Sequence, residues 1–216
     1  NFGCPVKKVV NAMAGSALMR DVPLATNIMR AVVNAVKIPV SVKMRLGWDD
    51  TSINAPDLAR IAEDIGVKMI TVHGRTRCQL YNGTANWDAV RAVKDAVKIP
   101  VIINGDILTQ DDAKTARAKS GADGVMIGRG ANGKPWALCQ IINGTPPPPR
   151  TEIKSVMIEH YDMLLSHYGT HQGMKIARKH IGWYVQDWDN TDDIRRQINT
   201  ENDASKIIKV LETITH

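Results

Sequence analysis

Nowhere in the 216-residue chain do about 18 apolar residues run together, so no membrane-spanning helix is expected. No signal-peptide pattern occurs either. Cysteine is scarce: Cys4, Cys78 and Cys139 stand far apart, and no C-x-x-C is present. An odd number without paired spacing argues against a disulfide framework or a structural zinc site, and no metal is expected. Such a chain reads as cytoplasmic. An initiator Met is also lacking. The opening "NFGCPVKKVV" looks like a strand end running into a loop, with Cys4 between Gly3 and Pro5.

What is present is an ordinary globular composition, 44% hydrophobic and 23% charged. The length suits one domain with a substantial core and a smaller second one. Charge is unevenly placed. Residues 1–150 hold 20 Lys and Arg against 12 Asp and Glu, net +8, whereas 151–216 hold 8 against 10, net −2. A basic main domain suits an anionic partner such as a phosphate, a nucleotide cofactor or nucleic acid. A solvated basic surface accounts for the charge equally well on its own.

The identical "AVKIPV" recurs 61 positions apart, in 31–47 and 92–107, and "IGVKMITVHGR" (65–75) is echoed by "SGADGVMIGRG" (120–130). One supersecondary unit is therefore used repeatedly. Each unit reads as helix, short turn, buried strand. Leu24, Ile28, Val32, Val33 and Val36 follow helical spacing, as do Trp87, Val90, Val93 and Val97 behind a candidate Asn86 cap. The "IP" steps stop these helices, because a residue before Pro is pushed out of the helical region. The runs "VSVKM", "MITVH", "VIIN" and "GVMIG" are short and apolar without alternation, as in strands covered on both faces. Four such strands predict the C-terminal half of a (β/α)8 TIM barrel, spanning 1–142. "NGTPPPPR" (143–150) reads as a stiff linker. The remainder, 151–216, shows helical spacing at Ile153, Met157, Tyr161, Leu164 and Leu165, then across 172–187, then at Ile207, Leu211 and Ile214, and predicts a small all-helical domain.

Polar residues stand where the strands end: Lys43 and Arg45, His73 and Arg75, Asn104 and Asp106, Gly128 and Arg129. In a parallel β/α fold these ends share one mouth. Gly105 and the Gly128-Arg129-Gly130 run suit a phosphate, since backbone N–H groups approach closely where side chains are absent and Arg adds paired donors. Glycine is also the usual turn residue. Lys43 inside an apolar strand either snorkels to the strand end or holds its ammonium against an electron-rich ring, such as the pyrimidine edge of a reduced flavin. His73 is either a satisfied core histidine or a site residue. Cys4, at a strand-to-loop switch, is either a small buried hydrophobe or an exposed thiol able to serve as nucleophile or proton donor.

The stretches "NFGCPVKKV", "AGSALM", "VKMRLGW", "TVHGRTR", "YNGTANWD", "IPVIINGDI", "GADGVMIGRGANGKPW" and "ARKHIGWY" cover nearly the whole chain. Together they resemble the tRNA-dihydrouridine synthases, most closely the bacterial B-type subgroup. The resemblance implies an FMN-bearing β/α barrel, a helical RNA-binding domain, and reduction of a uridine of tRNA with NADPH as reductant. It implies that Cys4 is the acid that protonates C5 of uracil, that Lys43 and His73 contact the flavin, and that Arg75 lies near the substrate. It further implies that Asn104, Gly105 and Asp106 bind flavin and that Gly128 and Arg129 grip its phosphate. In 175–184, Lys175, Arg178, Lys179 and His180 stand beside Trp183 and Tyr184 and are expected to bind tRNA, the cations at i, i+3 and i+4 sharing one helix face suited to phosphates. No stable protein partner is expected. Family members carry further barrel strands ahead of the "GCP" motif, so the chain is expected to be a fragment that self-associates through its strand edges. A flavin barrel acting on a small molecule and a non-catalytic RNA-binding protein are the rival readings.

Overall fold

The computed structural model describes residues 1–214. Helix and strand alternate through its first part, as the repeated pattern demands. Helix α1 (Lys7–Asn11) follows the opening loop, and a 3₁₀ segment, Gly15–Arg20, leads into α2 (Val22–Ala35). Then come β1 (Ser41–Arg45), α3 (Ala55–Ile65), β2 (Met69–His73), α4 (Arg91–Ala96), β3 (Val101–Asn104), α5 (Gln110–Ser120) and β4 (Gly124–Met126). The strands form one parallel sheet in the order β1-β2-β3-β4. Helix starts follow local chemistry. Asp21 caps α2 through the Leu24 N–H, and Thr109 and Asp112 close a reciprocal capping box on α5. The Asn86 carboxamide oxygen accepts the Ala89 N–H at 2.9 Å, ahead of the Asp88–Val90 turn that leads into α4.

Register sorts the sheet residues into two faces. Val42, Met44, Ile70, Val72, Val101 and Ile103 are buried on the face the helices cover. On the other face, Lys43 pairs with Thr71 and Thr71 with Ile102, while Arg45, His73, Asn104 and Met126 form the next row. That second face is only partly covered: Lys43 and Ile102 are half-buried, and Met69 and Met126 are exposed. Expected burial on both faces thus holds fully for one of them; on the other, Arg45, Thr71, His73 and Asn104 are buried but are polar.

Helix α2 also departs from its expected phase. The apolar stripe anticipated at Leu24, Ile28, Val32, Val33 and Val36 faces inward only in part, at the half-buried Leu24 and Val33. Ala25 and Met29 are buried instead, while Ile28, Val32 and Val36 are exposed and Val36 lies beyond the helix end. Both stripes share helical spacing, and the packing partner chooses between them. Along α4, Val90, Val93 and Val97 are buried as expected.

The chain divides into two compact units, Asn1–Gly130 and the part from Ala131 onward. The second is helical: α6 (Ala137–Asn143), the Pro-rich segment 143–150, α7 (Arg150–Tyr168), α8 (Thr170–Tyr184), α9 (Thr191–Thr200) and α10 (Ala204–Thr213). Its core gathers Met157 and Tyr161 of α7 with Ala177, Ile181, Ile194, Ile198, Ile207 and Leu211. Burial pushes the Tyr161 hydroxyl up to about 12, and it donates to the Ala204 carbonyl at 3.3 Å. No helix among the described residues is long and apolar enough to cross a membrane.

Ile198 is 1% exposed, so Ile198→Ala should lower the stability of the helical unit by about 2–5 kcal/mol. Val32→Ser, on the exposed flank of α2, should stay within about 0.5 kcal/mol. Urea midpoints of the two variants check both.

Candidate active site

The opening residues continue the sheet pattern. Phe2 bridges Met44 in parallel fashion, and its N–H donates to the Lys43 carbonyl at 2.7 Å. The backbone then turns at Cys4, whose carbonyl accepts both the N–H and the hydroxyl of Ser16, at 3.0 and 2.9 Å. Gly15 makes this turn possible: its φ is +59°, and a Cβ there would lie 2.6 Å from the Cys4 oxygen. Arg45 pins the loop from below. Its Nε donates to the Gly3 carbonyl at 2.8 Å, and its Nη1 donates to the carbonyls of Thr76 and Leu80.

The half-buried Cys4 thereby faces a cavity of about 690 Å³ at the carboxyl ends of the strands. Its walls include Lys43, His73, Asn104, Gly105, Asp106, Gly128 and Arg129, residues anticipated from sequence. They also include Arg45 and Tyr81, to which sequence reasoning had assigned no role. Arg45 was visible as a strand-end cation. Tyr81 lies in a loop whose turn chemistry does not reveal that the Arg129 guanidinium sits 4.5 Å over its ring.

Arg75 is placed differently from expectation. It is 1% exposed and is not on the cavity wall. Its five N–H donors are used inside the protein: Nε on the Asn82 carbonyl, Nη1 on His73 Nε2 and Asp106, Nη2 on the Gly83 carbonyl and Asp106. These bonds hold His73, Asp106 and the 82–83 loop in place. Asp106, at φ +54°, also accepts the Ala85 N–H at 2.7 Å and Arg129 at 3.4 Å. Gly105 beside it has φ +117°, and a Cβ would come within 2.8 Å of both the His73 ring and Ala85. Trp87 Nε1 donates to the Gly105 carbonyl and fixes that turn.

These contacts set the charge states. Burial, then the nearby Arg45, Lys43 and Arg75 cations, pull His73 down to about 3, outweighing the Asp106 carboxylate. His73 is therefore neutral near pH 7. Because an arginine N–H can only donate, His73 Nε2 accepts from Arg75 and its proton sits on Nδ1. Burial alone would raise the Asp106 carboxyl, but the Arg75 bonds, the Ala85 N–H and the Arg129 charge hold it below its ordinary value. Burial and Arg45 lower Lys43, whose half-buried ammonium has no hydrogen-bond or ion-pair partner among the described residues.

On α8 the expected common cationic face does not form. Lys175 and Lys179 are exposed. Arg178 turns the other way, with Nη2 donating to the Glu201 carbonyl at the end of α9 and to Asn202. His180 packs against His160 at 4.9 Å and Trp183 at 5.2 Å, and burial, His160 and Lys179 lower its pKa. It is a ring in an aromatic cluster rather than a surface cation.

A parallel β/α sheet with a cation- and glycine-walled cavity at its carboxyl edge places the chain among β/α proteins, whose sites lie at that edge. A family model described as dihydrouridine synthase matches residues 1–216, and the chain belongs to that family. It is 55% identical over 209 residues to a probable tRNA-dihydrouridine synthase of Rickettsia conorii, covering 94% of this chain and 63% of that protein. A second such protein, from Rickettsia bellii, is 54% identical over 222 residues, covering 100% of the chain and 68% of that protein. The tRNA-dihydrouridine synthase B of Serratia marcescens is 44% identical over 218 residues, covering 98% and 65%. The chain thus spans about two thirds or less of the length of most of these relatives, 63% for the first.

Arg75→Ala should destabilise the first unit by about 1–3 kcal/mol, because it leaves the Asn82 and Gly83 carbonyls without that donor and Asp106 with only Arg129 and the Ala85 N–H. The double variant Arg75→Ala/Asp106→Ala should cost less than the sum of the two single variants, which a double-mutant cycle in urea reads directly. In an NMR titration, the His73 imidazole should stay neutral at pH 5, where an unperturbed histidine is protonated. A folded pKa of about 3 against an unfolded 6.5 means that the unfolded chain binds the extra proton between those values. Stability therefore falls as pH drops from 6.5 towards 3, and His73→Asn should flatten that dependence.

Proposed function

We propose that the chain carries the catalytic part of a flavin-dependent enzyme that reduces a uridine of tRNA to 5,6-dihydrouridine, with NADPH as reductant. The observation that carries this reading is the meeting of Cys4 with Lys43, His73 and the Gly128-Arg129 turn, all 39 or more residues distant from it in sequence, around one cavity. In this reading the first unit is the C-terminal half of a TIM barrel and holds FMN, and the helical unit holds the tRNA. An RNA substrate and three free thiols suit a cytoplasmic protein.

The residues present fit FMN. The unpartnered Lys43 ammonium is an orphan cation on the cavity wall and would face the electron-rich edge of the isoalloxazine. Neutral His73, donating from Nδ1, offers a hydrogen bond without adding charge. Asn104 is held by its own bond from Nδ2 to the Met126 carbonyl, and Gly105 and Asp106 shape the turn beside it. A Cβ added at Gly128 would find no atom closer than 3.9 Å, so the wall there is open to a phosphate, with the 55% exposed Arg129 side chain beside it. Reduced FMN, when bound, supplies the hydride that adds to C6 of the uracil. The Cys4 thiol is positioned as the acid that delivers a proton to C5, so the C5=C6 bond gains one hydride and one proton. The Ser16 and Arg45 bonds hold the Cys4 backbone still for that transfer. A uridine stacked in folded RNA cannot reach such a cavity, so the base must be turned out. Lys175 and Lys179 are the α8 cations left to meet its phosphates.

The test is dihydrouridine formation on unmodified tRNA with FMN and NADPH. Product should form with tRNA and not with free uridine, and Cys4→Ala should lower the rate about 10²–10⁴-fold while leaving flavin reduction by NADPH intact. Full activity in Cys4→Ala would remove the cysteine from the chemistry.

A further inference from the structure

Trp48 holds two cations. The guanidinium carbons of Arg20 and Arg77 each lie 4.6 Å from the centre of its indole. The three residues come from separate segments: the end of the 3₁₀ turn before α2, the loop after β1, and the loop after β2. Both strand loops leave from carboxyl ends, the same edge of the sheet that carries the cavity.

Backbone contacts build this cluster firmly. The N–H groups of Arg77 and Cys78 donate to the carbonyls of Gly47 and Trp48 at 2.9 and 2.8 Å, which carries the β1–β2 pairing into the loops. Asn54 Nδ2 ties the Met19 carbonyl to the Trp48 loop at 2.6 Å. Gly47 bridges Ile53, and a Cβ on it would lie 2.2 Å from the Ser52 oxygen, so only glycine fits.

The charges are nevertheless unanswered. No carboxylate pairs with Arg20 or Arg77 among the described residues. Of the nearby acids, Asp21 is engaged on the Leu24 N–H and Asp49 on Thr51 and Ser52, and the exposed Asp50 makes no ion pair with either arginine. Arg77 Nε is buried with no partner at all. Two like charges brought to one ring repel, and an orphaned buried donor is costly. A guanidinium lying on an indole keeps its in-plane terminal N–H groups free, the geometry that takes a phosphate in paired bonds.

We propose that Arg20, Trp48 and Arg77 form a preorganised clamp for backbone phosphates of the RNA substrate, separate from the flavin cavity. This rests on the tRNA reading above and goes beyond it by naming where the first unit grips the RNA. The indole already holds two cations, so the cluster favours phosphates over a stacked base.

The experiment measures tRNA affinity of the chain across a salt series, for the wild type, for Arg20→Gln/Arg77→Gln and for Arg20→Lys/Arg77→Lys. Each lost phosphate contact removes about 0.7–0.9 from the slope of log affinity against log salt. The double Gln variant should therefore bind more weakly, with a slope shallower by about 1.5, while FMN affinity stays unchanged. The double Lys variant keeps its charges and should keep the wild-type slope. An unchanged slope in the double Gln variant overturns the clamp while leaving the tRNA reading intact. So does a raised KM for NADPH with no change in slope, which would assign the cluster to a dinucleotide phosphate. No salt-dependent tRNA binding by the wild type would overturn the clamp and the functional reading together.

Discussion

The guanidinium of Arg75 spends all five of its donors inside the protein, and the carboxyl edge of the sheet is organised around it. It grips the Asp106 carboxylate with two bonds, one at 2.6 Å, bonds to His73, and holds the carbonyls of Asn82 and Gly83. Through Asp106 it reaches Ala85 and Arg129. One planar group thus joins the ends of β2 and β3 to the loop between β2 and α4 and to the turn after β4. Such a pair is costly to desolvate and costly to break, which suits it to fixing geometry rather than to adding net stability.

Around that node the cavity is crowded with positive charge, and each cation is managed differently. Arg45 is buried, bonded to three carbonyls, and 5.5 Å from the Tyr81 ring. Arg129 lies over Tyr81 and on Asp106. Lys43 alone of the three carries no partner among the described residues, and His73 escapes the conflict by staying neutral. A wall with an uncommitted ammonium and a neutral, tautomer-fixed imidazole is ready for an electron-rich ligand, because ligand contacts there replace none that the protein already makes.

The loops on the same edge repeat this on a smaller scale. Arg20 and Arg77 at Trp48 are another place where cations are held in order without a carboxylate. The helical unit does the opposite: Arg178 is drawn into capping the end of α9, and His180 joins His160, Trp183 and Tyr184 in an aromatic cluster. Residues 151–216 carry a net −2, against which Lys175 and Lys179 are local exceptions.

The strands, the parallel sheet and the gathering of Cys4, Lys43, His73, Asn104, Asp106 and Arg129 at one edge were all legible in the sequence. They depend on local rules: short apolar runs make strands, Ile-Pro steps stop helices, and every strand of a parallel sheet ends on the same side. Tertiary structure decided what those rules leave open. It turned α2 so that Ala25 and Met29 are buried and Ile28, Val32 and Val36 exposed, because helical spacing defines a stripe but not its partner. It tied Arg75 and the Nη2 of Arg178 into bonds within the protein, because the carbonyls and carboxylate that claim them lie 7 to 31 residues away, at positions no periodicity marks. It also brought Arg20, Trp48 and Arg77 together from three segments. A sequence pattern reports what each residue can bond; only the folded chain decides which bonds are already made, and so which groups remain for function.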